Sequence, residues 1–299
     1  MTLSERESIV RDLTPPFTIH PPTGPATPVL FCSPHSGRTY PQAFLQASRL
    51  DAAALRKSED CFVDELFAAA PAHGATLIEA HFPRAYLDLN REAYELDPEL
   101  FDEPLPDYAN ARTMRVIGGL GTIARIVADA EEIYDQPLSL SVAFERIERL
   151  YKPFHRAVVD ILDGMIAEFG YAVLIDCHSM PSGDGSSGPT SRPDFVVGDR
   201  FGSSCSPRVT RLLRQHLGRH GARVQLNRPY AGGYITEHYG QPYANQHAIQ
   251  IEINRGLYLD ERTFQKTASF AVLQRRLSEL IAHICAAVPE LFEIRRAAE

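Results

Sequence analysis

No two of the five cysteines (Cys32, Cys61, Cys177, Cys205, Cys285) form a C-x-x-C pair, and their number is odd. Such scatter excludes a disulfide framework and a thiolate zinc site. No stretch approaches the ~18 apolar residues of a membrane span. The opening "MTLSERESIVRDLTPP" carries no apolar h-region, so no signal peptide is expected. A cytoplasmic protein with reduced cysteines and no membrane partner is the expectation. Positive charge is also short: 30 Lys and Arg against 38 Asp and Glu leave a formal net charge of −8. A nucleic-acid partner needs a basic face, so that class is excluded. A small anionic substrate is not excluded, because a local pair of arginines overrides a mildly acidic surface. Low-complexity tracts, internal repeats and linkers are likewise lacking. The 299 residues are therefore read as a single domain, 1–299, long enough to bury a large core.

What the sequence does contain is an alternation of strand and helix signals. Short apolar runs predict strands at "TPVLFC" 27–32, "GATLIEA" 74–80, "AYLDL" 85–89, "YAVLIDC" 171–177, "PDFVVG" 193–198, "ARVQLN" 222–227 and "HAIQIEIN" 247–254. Ser58 is placed to cap a helix running to about residue 72. A long helix is predicted over about 141–168, with Pro153 kinking or dividing it. Pro207 suits the first position of a helix over 207–219, and a closing helix covers about 261–287. The alternation predicts an α/β fold with a mixed, mainly parallel sheet. Two long loops, 95–108 and 180–193, are candidate substrate walls or lids.

Open α/β sheets bind ligands beyond the carboxyl ends of their strands, and the chemistry gathers there. "PVLFCSPH" ends in His35, and "VLIDCHS" in Asp176 and His178. One such histidine is usually structural, but two past apolar strands and among small residues point toward a metal. Neutral imidazoles with a carboxylate and one open position make the usual catalytic zinc site. "RKSEDCFVDEL" offers Glu59 and Asp60 as the carboxylate, between which spacing does not choose. Acidic residues also favour a helix N-terminus for dipole reasons alone. In "HAIQIEINRG" the isoleucines share one face of the strand while Gln250, Glu252 and Asn254 share the other. A carboxylate in an apolar strand is costly unless paired or employed, and a general base beside a metal site is an employment. "FPRAYLDLNRE" puts Arg84 before one predicted strand with Asn90 and Arg91 at its end, candidates for gripping an acidic substrate. No G-x-S-x-G elbow is present, and Cys177, next to His178, is expected to face away from it.

In chain order, "SPHSGRTYP", "EDCFVDELF", "FPRAYLDLNRE", "YKPFHRAVVDIL", "LIDCHSMPS", "DFVVGDRFG", "GGYITEHYGQP" and "HAIQIEINRGLYLDE" resemble the N-formylglutamate amidohydrolase family, over about residues 28–262. "DLNR" is also similar to the substrate-binding motif of aspartoacylase and the wider zinc carboxypeptidase superfamily. The resemblance implies a three-layer α/β/α sandwich and metal-dependent hydrolysis of N-formyl-L-glutamate to formate and L-glutamate in histidine degradation. It implies His35 and His178 as metal ligands, Glu252 as the catalytic glutamate, and Arg84 as the group polarising the scissile carbonyl. It implies Asn90 and Arg91 as the holders of the substrate carboxylate. His155 and His238 are candidates for the pocket wall, with ordinary core or surface histidines as the competing reading. Zn2+ is the expected metal, with Mn2+ or Co2+ as alternatives.

The chain departs from the superfamily at one point. Where the usual first ligand motif reads H-x-x-E, "HSGR" puts Arg38 in the glutamate's place. The acidic ligand must then come from elsewhere, and Asp60 is preferred over Glu59. Two other readings compete: a deformylase or deacylase of another N-acyl amino acid or small peptide, and a metal-free amino-acid-binding or regulatory protein on the same fold. A binder, however, has no use for a general base at Glu252.

Overall fold

The structure is a computed structural model that describes residues 4–127, 130–183 and 192–296. The chain sorts into two compact units, each drawn from three segments. The first comprises 1–18, 34–61 and 79–158; the second comprises 19–33, 62–78 and 159–299.

The second unit holds the sheet. Its strands are β1 (Phe17–His20), β2 (Val29–Ser33), β3 (Thr76–Ala80), β4 (Ala172–Met180), β5 (Phe195–Gly198), β6 (Val224–Leu226) and β7 (Gln246–Asn254), in the order β1-β3-β2-β4-β7-β5-β6. β1 and β3 share residues with the first unit. β2 pairs in parallel with β4, and β4 with β7; β5 runs antiparallel to β7 and parallel to β6. The fold is thus α/β with a mixed, mainly parallel sheet, as the alternation predicts. All nine residues of β4 are buried, which is why it reads as a near-continuous apolar run.

The first unit contains α1 (Glu5–Asp12), α2 (Gln42–Ala47), α3 (Ala52–Arg56), and, farther along the chain, α5 (Met114–Ile117), α6 (Leu140–Arg146) and the start of α7 (Lys152–Phe169). The second contains α4 (Val63–Leu66), α8 (Pro207–Leu217), α9 (Tyr234–Tyr239) and α10 (Phe270–Arg296). α1 opens with a reciprocal capping box between Ser4 and Glu7. Buried Arg146 braces the first unit: its Nε donates to Glu5 at 2.6 Å, its Nη1 donates to the Tyr86 carbonyl at 3.0 Å, and its guanidinium lies 4.0 Å over the Tyr86 ring. No helix among the described residues is long and apolar enough to cross a membrane.

Four local expectations are corrected. "AYLDL" is not a strand: Tyr86 N–H bonds back to the Pro83 carbonyl at 3.0 Å, and Asp88 accepts from Asn90 N–H at 2.8 Å, a side-chain-closed turn. The helix expected from Ser58 is only α4, because Phe62 sits at φ 62° and Ser58 Oγ donates back to Leu55. Pro153 does not divide a helix from within; a π-helical turn over Ile147–Tyr151 joins α6 to α7, and the proline falls in the first turn of α7. The closing helix starts at Phe270, since 259–266 instead form a two-stranded hairpin. In the 180–193 loop, residues 184–191 lie outside the described residues.

Candidate active site

β2 ends at Ser33, and two residues later comes buried His35. The turn that follows runs against the 81–82 backbone, so closely that a Cβ on Gly37 would stand 2.2 Å from the Phe82 carbonyl oxygen. Only glycine fits there. His35 Nε2 lies 2.7 Å from Asp88 Oδ1. Burial alone would raise the Asp88 pKa, but Arg84, Arg91 and His35 outweigh it and hold the carboxyl well below its usual range. Asp88 is therefore an acceptor, and Nε2 must be the nitrogen that carries hydrogen. The other ring nitrogen, Nδ1, faces Asp60 Oδ2 at 3.5 Å.

That geometry separates Asp60 from Glu59. Both are buried, and both precede α4 rather than occupying the first turn of a helix, so the dipole explanation does not apply. The Glu59 carboxylate accepts from Arg56 Nε at 3.1 Å, from Cys61 Sγ at 3.2 Å and from the Tyr40 hydroxyl. The Asp60 carboxylate faces His35, and its own N–H donates to the His35 carbonyl at 3.1 Å. Arg38, at the position of the superfamily glutamate, is exposed.

Asp88 is also the hub of a guanidinium cluster. Arg84 Nη2 donates to its Oδ2 at 2.7 Å, and Arg91 Nη2 lies 3.6 Å from the same oxygen. Arg91 is buried and directed by backbone carbonyls: Nε donates to Leu120 at 2.9 Å and Nη1 to Asn90 at 2.8 Å. Burial pulls the Arg91 pKa down; Asp88 opposes this, while Arg84 and Arg115 add to it. His155 Nε2 donates to the Leu89 carbonyl at 3.0 Å and its ring lies 4.1 Å from that of Tyr151. It thus secures the Asp88–Arg91 turn, whose Arg91 carbonyl also accepts from the Tyr151 hydroxyl at 2.6 Å.

In the second unit the parallel register sets His178 on β4 directly beside Glu252 on β7. Gln250 Nε2 donates to Glu252 Oε1 at 2.7 Å, and its own Oε1 accepts from Gly233 N–H at 2.9 Å. His178 Nε2 lies 2.8 Å from Asp176 Oδ1, two residues back on the same face. Cys177 alternates to the other face, and burial, with Asp176 nearby, pushes its thiol well above the ordinary range. An inert, protonated thiol is no nucleophile. His238 stands on an exposed position of α9, stacked 4.9 Å from Tyr234.

The structure therefore brings His35 together with Asp60, and Arg84 and Arg91 together with Asp88, in the first unit. It brings His178 together with Glu252 in the second. Reading the sequence missed Asp88 and the charge of Arg115 near Arg91, and left Gln250 and Asp176 without a role. The i, i+2 spacing in "DCH" was a usable signal for Asp176, since alternate strand residues share a face. Arg115 had none, being 24 residues from Arg91 in the sequence.

An α/β sheet with a histidine and a carboxylate paired near the carboxyl ends of parallel strands defines the class as α/β proteins that place their ligands at strand ends. Within it, the chain belongs to the N-formylglutamate amidohydrolase family, whose model matches residues 27–259. It is 32% identical over 265 residues to an N-formylglutamate deformylase of Pseudomonas aeruginosa, covering 85% of this chain and 93% of that one. A crystal structure of an N-formylglutamate amidohydrolase from Ralstonia eutropha JMP134 superposes with a TM-score of 0.87 at 36% identity, covering 92% and 99% of the two chains. The gene product Atu2144 of Agrobacterium tumefaciens shares the fold, with a TM-score of 0.66 at 17% identity over 91% of this chain and 95% of that one.

Proposed function

We propose that the protein hydrolyses the N-formyl amide of N-formyl-L-glutamate to formate and L-glutamate, with a divalent metal ion held by His35, Asp60 and His178. The observation that carries the reading is the in-register pairing of His178 with Glu252, which sets a ligand-type imidazole beside a carboxylate on one face of adjacent strands. The substrate follows from the names of the Pseudomonas and Ralstonia relatives.

The donor set suits the ion. With Nε2 turned to Asp88, His35 presents Nδ1 to Asp60 Oδ2 at 3.5 Å, an imidazole nitrogen and a carboxylate oxygen of the types that bind zinc. β2 and β4 pair Cys32 with Asp176, so the chain leading to His35 leaves the same edge of the sheet as His178. Two imidazoles and a carboxylate with one place open form a catalytic zinc-type set, and zinc is the metal proposed over Mn2+ or Co2+. When bound, the ion supplies an acidified water and a Lewis acid for the formyl oxygen.

The protein's own groups do the rest. Glu252, its carboxylate aimed by Gln250, takes the proton from the attacking water and passes it to the leaving amine as the C–N bond breaks. Arg84 donates to the oxygen on which negative charge develops. Arg91 and Asn90 bind the substrate carboxylate, with the neighbouring charges of Arg84 and Arg115 adding attraction for an acidic ligand. His155 acts by holding this turn. All five cysteines are free and buried, in keeping with a reducing compartment; the place in histidine breakdown rests on the family resemblance.

The test is metal analysis of the purified protein, then formate release before and after chelation and after zinc return. Loss and recovery of turnover, with N-formylglutamate preferred over N-formylalanine by at least about tenfold, is expected. Turnover that ignores the chelator overturns the metal, and equal rates on both substrates overturn the arginine clamp.

A further inference from the structure

A second concave feature lies on the other face of the sheet. Val196 of β5 pairs directly with Glu252 of β7, and Phe195 with Ile253. Successive strand residues face opposite ways, so Phe195 points away from the side on which Glu252 stands. There a cavity of about 310 Å3 opens, with apolar walls from Phe195, Ala222, Leu257, Val272 and Leu273 and with Arg276 at its edge. A smaller recess shares Phe195, Ala222, His220 and Arg276 and adds His216 and Arg219.

The charge around this cavity is unbalanced. Among the described residues Arg219 and Arg276 have no ion-pair partner. Of the two carboxylates lining these recesses, Asp194 is already engaged, accepting from Arg223 N–H at 2.8 Å with that guanidinium 3.8 Å away. Glu279 is exposed. Burial is the main cause that pushes the His216 pKa down to about 4, with Arg219, His283 and His220 adding to it and Glu279 opposing. Apolar walls with a cationic rim match one ligand chemistry, an apolar body ending in a carboxylate.

We propose that this cavity binds a small amphipathic carboxylate, its apolar body against Phe195, Leu257 and Leu273 and its anionic end at Arg276 and Arg219. The site is separate from the proposed catalytic one and does not depend on that assignment.

Titration of the full-length protein with 2-naphthoate, followed by calorimetry, tests it. One saturable site is expected, weakened at least about tenfold in the double charge reversal R219E/R276E, as the loss of one charge contact predicts. Both arginines are outside the core, and formate release by this variant should equal that of the parent. The neutral 2-naphthalenemethanol, tested on the parent protein, should bind at least about tenfold more weakly than 2-naphthoate. An excess of N-formylglutamate should leave 2-naphthoate binding unchanged. Absence of saturable binding, equal affinity for the neutral analogue, undiminished binding to the charge-reversed protein or displacement by N-formylglutamate each overturns the proposal.

Discussion

His178 of β4 and Glu252 of β7 are register partners in a parallel pair, their side chains on one face of the sheet. Gln250, two residues before Glu252, donates to its carboxylate and so directs it. A glutamate that merely filled a structural place would tolerate an amide. A general base would not, because the amide cannot take a proton. Glu252→Gln should lower formate release by about 10²–10⁴-fold, the usual worth of a positioned acid–base group. Metal content, measured in the same preparation, should stay at the parent level. Near-normal turnover removes Glu252 from that role.

Glu59 and Asp60 are adjacent, equally buried and differently employed. Glu59 is held by Arg56, Tyr40 and Cys61, whereas Asp60 faces His35. Asp60→Asn should therefore abolish tight metal binding. Glu59→Gln should keep the metal and instead lower stability by about 1–3 kcal/mol, since the amide only partly replaces a buried charge-assisted pair. Zinc titration alongside urea unfolding of both variants separates the two. Metal loss in the Glu59 variant with retention in the Asp60 variant would reverse the assignment.

The strands were legible where their physics is simplest. β4 and β7 are covered on both faces; burial writes an apolar run into the start of β4 and an isoleucine alternation into β7, and the polar positions in both stand out. His178 and Glu252 were found for that reason. The same rule misread "AYLDL", whose apolar residues are buried in a turn closed by the Asp88 side chain. Burial makes residues apolar whether or not the backbone is extended. The helices α2, α3 and α4, of four to six residues each, are too short to show a period. Orienting carboxylates were the other loss. Asp88 acts on a histidine 53 positions away, and only folding brings the two together.

Asp88 fixes which nitrogen of His35 carries hydrogen, and it also pairs with Arg84 and stands 3.6 Å from Arg91. The two functions come apart on substitution. Asp88→Asn keeps an acceptor for Nε2–H but drops the charge, so metal affinity should fall by about 10–100-fold, the usual effect of losing a partner that orients a metal-bound histidine. Asp88→Ala should in addition destabilise the fold by about 3–5 kcal/mol, because it leaves buried guanidinium charge uncompensated. Zinc affinity by competition with a chromophoric chelator, together with unfolding midpoints, reads both. Parent-like zinc affinity in both variants overturns the orienting role.

Far from these groups, Asp12 joins α1 to α2. Arg11 donates to both of its oxygens at 2.7 and 2.9 Å, and Gln42 N–H at the start of α2 donates to Oδ2 at 2.9 Å, with Ser8 Oγ at 3.0 Å. α2 has no capping side chain of its own at Pro41, so Asp12 satisfies one of its first N–H groups from a distance. The Arg11 pair is the largest influence on the Asp12 carboxyl; with the Gln42 and Ser8 bonds it outweighs partial burial and brings the pKa down to about 2. A carboxyl whose pKa is lowered by folding stabilises the folded state above its unfolded value and loses that contribution as pH falls through the folded one. Because Arg11 is half exposed, the contribution is discounted to about 1 kcal/mol. Asp12→Asn should thus cost about 1 kcal/mol at pH 7. The deficit should be unchanged down to about pH 5 and shrink between about pH 4 and pH 2. Urea midpoints of the two proteins across this range measure it, and a deficit that persists undiminished at the acid end would show that the charge of Asp12 is not its source.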